Sequence, residues 1–230
     1  MDVLWMRLSR RPEDPDQPMG RFEAGQLFVT LGRGNYFQCA FVIPKGGFAA
    51  IEAKGLEAFR ERIATAAPLL RDRVGELGSW DDVKLLTVAV DRLKRWWRPG
   101  LLCIGDAAHA MSPVGGVGIN LAVQDAVAAA NRLADPLRRR AVTDADLEAV
   151  ERRRALPVRL TQRLQIFVQN RVIGPTLARQ DKVSAPAVVK LINRWPALRR
   201  IPGRLVGLGV LPEHVRTPDV GTALPMGIPK

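Results

Sequence analysis

Cysteine is scarce in this sequence, and long apolar runs are absent. The two cysteines, Cys39 and Cys103, both lie in apolar, strand-like runs. Two thiols are too few for a disulfide framework or a metal centre, so we expect free thiols in a reducing compartment and no metal. No apolar run reaches the ~18 residues of a membrane span, and the first residues lack the basic and apolar segments of an export signal. These absences favour a cytoplasmic protein.

Acidic residues are few in the second half of the chain. Residues 136–206 contain 16 Lys and Arg against 5 Asp and Glu, which accounts for almost all of the net charge of +12. A solvated helical surface is the simplest explanation, and peripheral contact with an anionic membrane surface is the alternative. Nucleic acid is disfavoured, because the stretch lacks interleaved aromatic residues and any helix-turn-helix or zinc pattern.

The first 100 residues show the patterns of a β-sheet with one helix. Strands are predicted at residues 2–9, 26–32, 35–44, 81–93 and 101–105. The turn Gly32–Asn35 has glycines where a hairpin needs positive φ. Residues 48–67 carry apolar side chains at helical spacing, and Pro68 ends that helix. The apolar strand 101–105 should be buried between parallel neighbours, although the sequence offers no evident partners for it.

Two long helices are predicted in the second half. The first should follow a glycine-rich segment and end near Ala134, because the residue before Pro136 is disfavoured in a helix. The second should begin near Thr143, with acidic residues in its first turn, and Pro157 should kink it. From Gly174 onwards, repeated prolines predict only short helices.

The segment Gly105–Ala126, GDAAHAMSPVGGVGINLAVQDA, is the least ordinary part of the sequence. It places Asp106 at the end of an apolar strand, where a carboxylate needs hydrogen-bond donors such as the hydroxyls of a polyol. A glycine-rich stretch, 115–118, then opens a helix whose N–H groups attract anions. The Rossmann fingerprint does not fit, because nine residues separate the strand from these glycines and Leu121 occupies the place of its third glycine. A simple turn cap at Asp106 is the alternative.

This segment resembles the second flavin-binding motif of the FAD-dependent aromatic hydroxylases, a family that includes the p-hydroxybenzoate and phenol hydroxylases and the ubiquinone-pathway monooxygenases. The motif reads G-D-A-A-H, then proline, then G-x-G-x-N, then D-A. The matching residues are Gly105, Asp106, Ala107, Ala108, His109, Pro113, Gly116, Gly118, Asn120, Asp125 and Ala126. A looser likeness covers the apolar run before the motif and the long helix after it.

The resemblance implies FAD as cofactor, with NADH or NADPH as cosubstrate. Asp106 would bind a ribityl oxygen, and Gly116–Asn120 would present N–H groups to the flavin ring and the pyrophosphate. The full set of implied cofactor-binding residues is Gly105, Asp106, Pro113, Gly115, Gly116, Val117, Gly118, Ile119 and Asn120.

The implied substrate is a small apolar or aromatic ring compound. Pro113 would border it, and Tyr36 and Gln38 are candidate pocket residues on a strand, with ordinary sheet positions as the alternative for both. No catalytic side chain is assigned, because a flavin hydroperoxide is itself the reagent in this family. We expect His109 to fix the loop rather than to act as an acid or base.

The implied fold class is α/β, mixed α+β as the chain stands: a partial FAD/NAD(P)-binding flavoprotein hydroxylase fold. Residues 1–100 would form an incomplete, mixed substrate-binding sheet with a helix. Residues 101–135 would form the second FAD-binding strand, loop and helix, and residues 136–230 a helical C-terminal region.

The first flavin-binding motif of the family is absent, because neither G-x-G-x-x-G nor the later D-G motif occurs in the sequence. We therefore expect the chain to lack the N-terminal segment that binds the ADP half of FAD.

Two hypotheses about function follow. The chain belongs to a monooxygenase that hydroxylates or epoxidises a ring with NAD(P)H and O₂, or it is a truncated or split, catalytically silent fragment or a basic helical module that binds a partner. The substrate, the choice between NADH and NADPH and the oligomeric state stay open.

Overall fold

The computed structural model describes residues 1–23, 25–178, 200, 203–204 and 207–217. Contacts between residues divide the chain into two compact units. The first unit comprises Met1–Ala89 and Leu164–Pro196, and the second comprises Val90–Arg163 and Ala197–Lys230. The sheet predicted at the start of the chain belongs to the first unit, and the glycine-rich segment belongs to the second.

A five-stranded sheet forms the main element of the first unit. Its strands, in the order β2-β3-β4-β1-β5, are β1 (Asp2–Ser9), β2 (Met19–Glu23), β3 (Gln26–Gly32), β4 (Tyr36–Ile43) and β5 (Lys84–Leu86). Every pairing described in this sheet is antiparallel, so the expectation of a mixed sheet is wrong. Short turns join β2, β3 and β4, and strands joined by short turns pair in antiparallel fashion. The predicted hairpin is confirmed, with Gly34 at a φ of 77°.

Two helices cover one face of this sheet. They are α1 (Phe48–Glu52) and α2 (Leu56–Ala66), where one helix over 48–67 was predicted. The division occurs because Gly55 has a φ of 85°, which a continuous right-handed helix does not permit. Phe59 of α2 packs edge-on against Phe41 of the sheet, with ring centroids 5.4 Å apart. The predicted apolar face of these helices is confirmed, because Phe59 and its neighbours at helical spacing are buried.

The strand predicted over residues 81–93 is interrupted. Only Lys84–Leu86 pairs with the sheet, because the backbone at Val88 is bound by side chains instead. The Val88 N–H donates to Asp2 Oδ1 at 3.0 Å, and its carbonyl accepts from Lys45 Nζ at 2.7 Å. The backbone N–H and carbonyl of Val88 are therefore bonded to side chains and not to a neighbouring strand.

Four two-residue strands and two long helices follow. They are β6 (Asp91–Arg92), β7 (Trp97–Arg98), β8 (Leu101–Leu102), β9 (His109–Ala110), α3 (Gly118–Arg138) and α4 (Asp144–Val168). β6 pairs with β9 and β7 with β8, both in antiparallel fashion. α4 begins after Thr143, whose backbone N–H and hydroxyl both donate to Asp146, so the predicted start of this helix is confirmed.

The prediction of a buried parallel strand at 101–105 is wrong. Only Leu101–Leu102 is extended in a ladder, and it pairs with β7 through a tight turn in which Gly100 has a φ of 76°. Leu101 is 44% exposed. In the described ranges of the chain no parallel strand lies beside it, so the apolar run forms a hairpin edge.

Neither long helix ends at its proline. α3 was predicted to stop near Ala134, but it continues through Pro136 to Arg138, so that prediction is wrong. α4 continues past Pro157 to Val168, and the kink expected at Pro157 stays a prediction. Each proline removes one hydrogen bond from its helix. Buried apolar residues close to the two prolines, Leu133 in α3 and Val158 in α4, favour the helical conformation despite that loss.

A five-residue π-helical turn, Gln169–Ile173, follows α4 and leads into α5 (Gly174–Ala178). The predicted C-terminal helices beyond this point lie mostly outside the described residues. So does part of the basic stretch 136–206, and its contact with a membrane surface stays a prediction. Within the described ranges, no helix combines the length and the hydropathy needed to cross a membrane.

Candidate functional site

The glycine-rich segment begins with a tight turn just after β8. Ile104 is extended, and Gly105–Ala107 forms a 3-10 turn in which Gly105 has a φ of 58°. A Cβ at Gly105 would lie 3.0 Å from the Cβ of Ala122 on α3, which is closer than ordinary contact. Glycine is therefore required at position 105 for two reasons: the left-handed backbone conformation and the close approach of α3.

The same turn exposes Asp106. Its carboxylate forms no hydrogen bond or ion pair with any residue in the described part of the chain. An ionised carboxylate offers only acceptor oxygens. Asp106 is thus available to accept hydrogen bonds from hydroxyl groups of a ligand, as the sequence predicts.

The start of α3 offers the opposite polarity. Val117 is its N-cap residue and provides no side-chain cap, and the first turn contains no acidic residue. The first N–H groups of a helix have no partner within it, and they carry a partial positive charge. Gly116, at a φ of 63°, precedes this turn, and a Cβ there would meet nothing within 4 Å. The loop and the helix start are accessible to an anion or to an electron-rich ring edge.

The other predicted cofactor residues line this loop with different exposures. Pro113 is half-buried and precedes the turn Val114–Gly116. Ile119 is 77% exposed, whereas Val117 is buried. The side chain of Asn120 donates from Nδ2 to the carbonyl of Gly207 at 3.3 Å.

A cluster of buried charged groups anchors the turn. Asp125 of α3 accepts hydrogen bonds at Oδ2 from the backbone N–H of Gly105 (3.1 Å) and from His109 Nε2 (2.6 Å). Its Oδ1 accepts from Nε of Arg154 on α4 at 2.8 Å. All three side chains are buried to 99% or more, with 0% exposure for Asp125 and Arg154 and 1% for His109. The cluster joins the turn, α3 and α4 through a single carboxylate.

The cluster keeps Asp125 ionised. Burial alone would raise the pKa of this carboxyl, but the hydrogen bonds from His109, Arg154 and Gly105 outweigh burial and hold the pKa of Asp125 below its ordinary value. Arg154 also has Glu213 Oε1 at 3.7 Å from its Nη1. A buried charge requires such partners, because an isolated one would be strongly destabilising.

His109, which was expected to fix the loop, donates to Asp125, and its ring lies 5.3 Å from that of Trp96, centroid to centroid. Arg154 was not among the residues predicted from the sequence, although the sequence contains a signal for it. Leu147, Val150, Arg154 and Val158 recur at helical spacing, so Arg154 occupies an otherwise apolar face of α4. A charge on a buried face needs a buried partner, and Asp125 is that partner.

The predicted substrate residues Tyr36 and Gln38 lie on β4 of the first unit. The guanidinium of Arg7 lies 3.9 Å from the ring centroid of Tyr36, and Gln38 Oε1 accepts from Arg33 Nε at 3.1 Å. Both line a surface depression of about 400 Å³. Pro113 belongs to the second unit, so a common pocket for these three residues stays a prediction.

The donors and acceptors described here fit the flavin half of FAD. Its ribityl chain requires an acceptor for hydroxyls, and the exposed carboxylate of Asp106 provides one. Its phosphate and the pyrimidine edge of its ring require N–H donors, and the uncapped start of α3 provides them. The open backbone at Gly116 leaves space for a ligand to approach.

Comparison with known proteins identifies the family. A family model described as "FAD binding domain" matches residues 10–164. The chain belongs to that family. The 6-methylpretetramide 4-monooxygenase of Streptomyces rimosus is 36% identical over 205 residues, which cover 89% of this chain and 48% of that protein. The kynurenine 3-monooxygenase of Xanthomonas euvesicatoria pv. vesicatoria is 30% identical over 191 residues, which cover 78% of this chain and 38% of that protein.

Solved structures show the same fold. HpxO of Klebsiella pneumoniae, in a complex with FAD and uric acid, has a TM-score of 0.59 and 20% identity, covering 88% of this chain and 51% of that chain. The predicted α/β fold class and the resemblance to FAD-dependent aromatic hydroxylases are confirmed. The chain spans about half the length, or less, of the curated relatives it matches.

Proposed function

We propose that this chain forms the second flavin-binding region and the substrate sheet of an FAD-dependent monooxygenase. The proposed enzyme uses NADH or NADPH and O₂ to oxygenate an apolar ring substrate. The observation that carries the proposal is the 36% identity with a monooxygenase over 89% of the chain, within which the flavin motif keeps an exposed Asp106 that has no partner among the described residues.

The residues of this chain would bind and orient the cofactor rather than react. FAD supplies the redox chemistry, because its reduced form activates dioxygen. Asp106 would accept hydrogen bonds from ribityl hydroxyls, and the first N–H groups of α3, at Gly118 and Ile119, would face the phosphate or the ring edge. His109 and Asp125 would hold the turn that presents Asp106. No side chain of this set needs to gain or lose a proton.

The substrate would be an apolar ring bound at the face of the sheet that carries Tyr36 and Gln38. The depression there is lined by the ring of Tyr36, the amide of Gln38 and charged side chains, and the guanidinium of Arg7 lies over the Tyr36 ring. Such a mixture suits a ring with polar substituents. Tyr36→Phe and Gln38→Leu should each raise KM with little change in kcat, because the proposed contacts bind the substrate without taking part in the reaction.

The ADP half of FAD would be bound by a segment outside these 230 residues. No G-x-G-x-x-G occurs in the sequence, and the groups described at Asp106 and α3 suit the flavin half. The proposal therefore predicts an unusual ligand preference. The isolated chain should bind FMN and FAD with similar affinity, whereas a chain extended by a family segment with G-x-G-x-x-G should prefer FAD.

The test is a flavin fluorescence titration of Asp106→Ala against the wild type. We expect flavin binding to weaken by about 1.5–3 kcal/mol, the range for hydrogen bonds to a charged group. Asp144→Ala is a matched control, because Asp144 is exposed at the start of the other long helix. Equal affinity of the wild type and Asp106→Ala for flavin would remove Asp106 from the site.

The alternative function is a catalytically silent module that binds a partner through its helices. It is favoured by an exposed apolar stripe on α3, where Ile119, Val123 and Leu137 are 77%, 57% and 60% exposed. The monooxygenase and the silent module are distinguished by NAD(P)H oxidation and product formation, measured on the chain extended by the segment with G-x-G-x-x-G. Stoichiometric flavin binding without any oxygenation of apolar ring compounds would favour the module.

A further inference from the structure

An apolar cavity lies in the first unit. Its volume is about 280 Å³, and it lies between β2 and β3 of the sheet and the residues that follow α2. Phe28 and Leu70 line it at 2% and 0% exposure, and Ala66 and Ala67 complete its wall. None of its lining residues belongs to the glycine-rich segment. Since an apolar cavity of ~150 Å³ holds a benzene ring, this one has room for two fused rings.

One polar atom in the cavity wall has no partner among the described residues. Thr30 of β3 lines the cavity and is 3% exposed, and its Oγ1 makes no hydrogen bond with this part of the chain. A buried hydroxyl without a partner lowers the stability of a fold, and valine would fill the same space without that loss. A water molecule would find few other side-chain partners there, because the neighbouring lining is apolar. A polar group on a bound ligand would supply the missing hydrogen-bond partner of the Thr30 hydroxyl.

A cation lies at the rim of the cavity. Arg21 of β2 is exposed, and in the described part of the chain its one hydrogen bond is a long one, from Nη1 to the carbonyl of Ala66 at 3.4 Å. It forms no ion pair with the described residues. Met19 and Leu69, each 38% exposed, also line the cavity. The rim thus combines a guanidinium without a counter-charge and two apolar side chains.

We propose that this cavity is a second small-molecule site, which takes an aromatic carboxylate of one or two rings with a polar substituent at the far end. The apolar walls bury the rings, Arg21 pairs with the carboxylate, and Thr30 bonds to the substituent inside. The proposal does not depend on flavin binding, because no residue of the cavity takes part in the proposed flavin site.

The test is isothermal titration calorimetry of the 230-residue chain, without flavin, with three probes. They are 6-hydroxy-2-naphthoate, 2-naphthoate and 6-hydroxy-2-naphthamide. Ligands of this size bind with a Kd of about 1 mM or below. We expect the hydroxynaphthoate to bind about fivefold more tightly than each of the other two, which lack one of its polar contacts.

Two variants assign these contacts. Thr30→Val should remove the advantage of the ring hydroxyl, and it should leave urea stability unchanged or increased, because it removes an unpartnered buried hydroxyl. Arg21→Gln should remove the advantage of the acid over the amide. Arg71→Gln is the control, because the Arg71 side chain is 59% exposed, pairs with Glu61 at 3.3 Å and does not line the cavity.

The outcomes separate this proposal from the flavin proposal. Asp106→Ala should bind the hydroxynaphthoate as the wild type does. Absence of binding by all three probes at millimolar concentration would overturn the second site. So would binding that neither Thr30→Val nor Arg21→Gln changes, since the probe would then occupy another surface.

Discussion

Asp125→Asn removes the negative charge from the buried cluster and keeps the size of the side chain. The wild-type carboxylate accepts three hydrogen bonds, at 2.6, 2.8 and 3.1 Å. Asparagine has one acceptor oxygen, so its NH₂ group must face either Arg154 or the pair of Gly105 and His109, all of which donate. Loss of one partner from a buried ion pair costs about 3–5 kcal/mol. We expect a loss of unfolding free energy near the lower end, about 3 kcal/mol, because Glu213 stays 3.7 Å from Arg154.

Urea unfolding followed by circular dichroism measures the loss, and hydrogen exchange with mass spectrometry locates it. The backbone N–H of Gly105 donates to Asp125, so its exchange should become faster in the variant. Asp135→Asn makes the same chemical change on the same helix. Because its side chain is 72% exposed and pairs loosely with Arg138 at 3.5 Å, it should unfold at the wild-type urea concentration.

Two results would refute this reasoning. If Asp125→Asn and the wild type unfold at the same urea concentration, the cluster contributes no net stability. If stability falls but exchange at residues 105–109 is unchanged, the cluster does not hold the turn that carries Asp106.

Three further predictions concern single residues. Gly105→Ala should destabilise the second unit and weaken flavin binding, because the φ of 58° at this position disfavours alanine and the new Cβ would lie 3.0 Å from the Cβ of Ala122. Thermal unfolding measures the loss of stability, and flavin titration measures the loss of affinity. The hydrogen bond from Arg73 holds the pKa of Asp14 below its ordinary value. The ionised Asp14 therefore stabilises the fold fully above pH ~4, and this stabilisation is lost as the pH falls through the lower pKa of the folded protein. Urea unfolding at pH 6 and pH 2.5 should show a smaller effect of pH on the stability of Asp14→Asn than on that of the wild type. Burial raises the pKa of the Cys39 thiol to about 12, so a thiol-specific reagent at pH 8 should modify it only after urea is added.

Local patterns predicted the elements that local interactions determine. The strands of the hairpin follow from alternation, the buried face of α2 from helical spacing, and the start of α4 from the acidic residues of its first turn. The failures concern residues whose structure depends on distant partners. The apolar run 101–105 is equally suited to a buried strand or a hairpin edge, and only the neighbours decide between them. Pro136 ends a helix on local grounds, whereas packing at Leu133 favours its continuation.

The candidate site was predictable to a similar degree. Asp106 and the glycines are unusual in their own neighbourhood, so the sequence alone singles them out. The buried cluster depends on Arg154, which is 29 residues from Asp125 and lies in a run of three arginines that resembles an exposed charged patch. Its position on the apolar face of α4 was the available signal. The cavity at Thr30 had no sequence signal, because threonine is ordinary in a strand.

The buried cluster gives a physical reason for the length of the flavin motif. Asp125, near its end, bonds to the backbone of Gly105 at its beginning, 20 residues earlier, and also to His109. Asp106 lies between these two fixed points and is itself exposed. A carboxylate that must accept hydrogen bonds from a ligand cannot be held in place by hydrogen bonds from the protein, since the protein donors would compete with the ligand. The residues on either side of Asp106 are held instead, and the carboxylate that holds them is buried where no ligand hydroxyl reaches it.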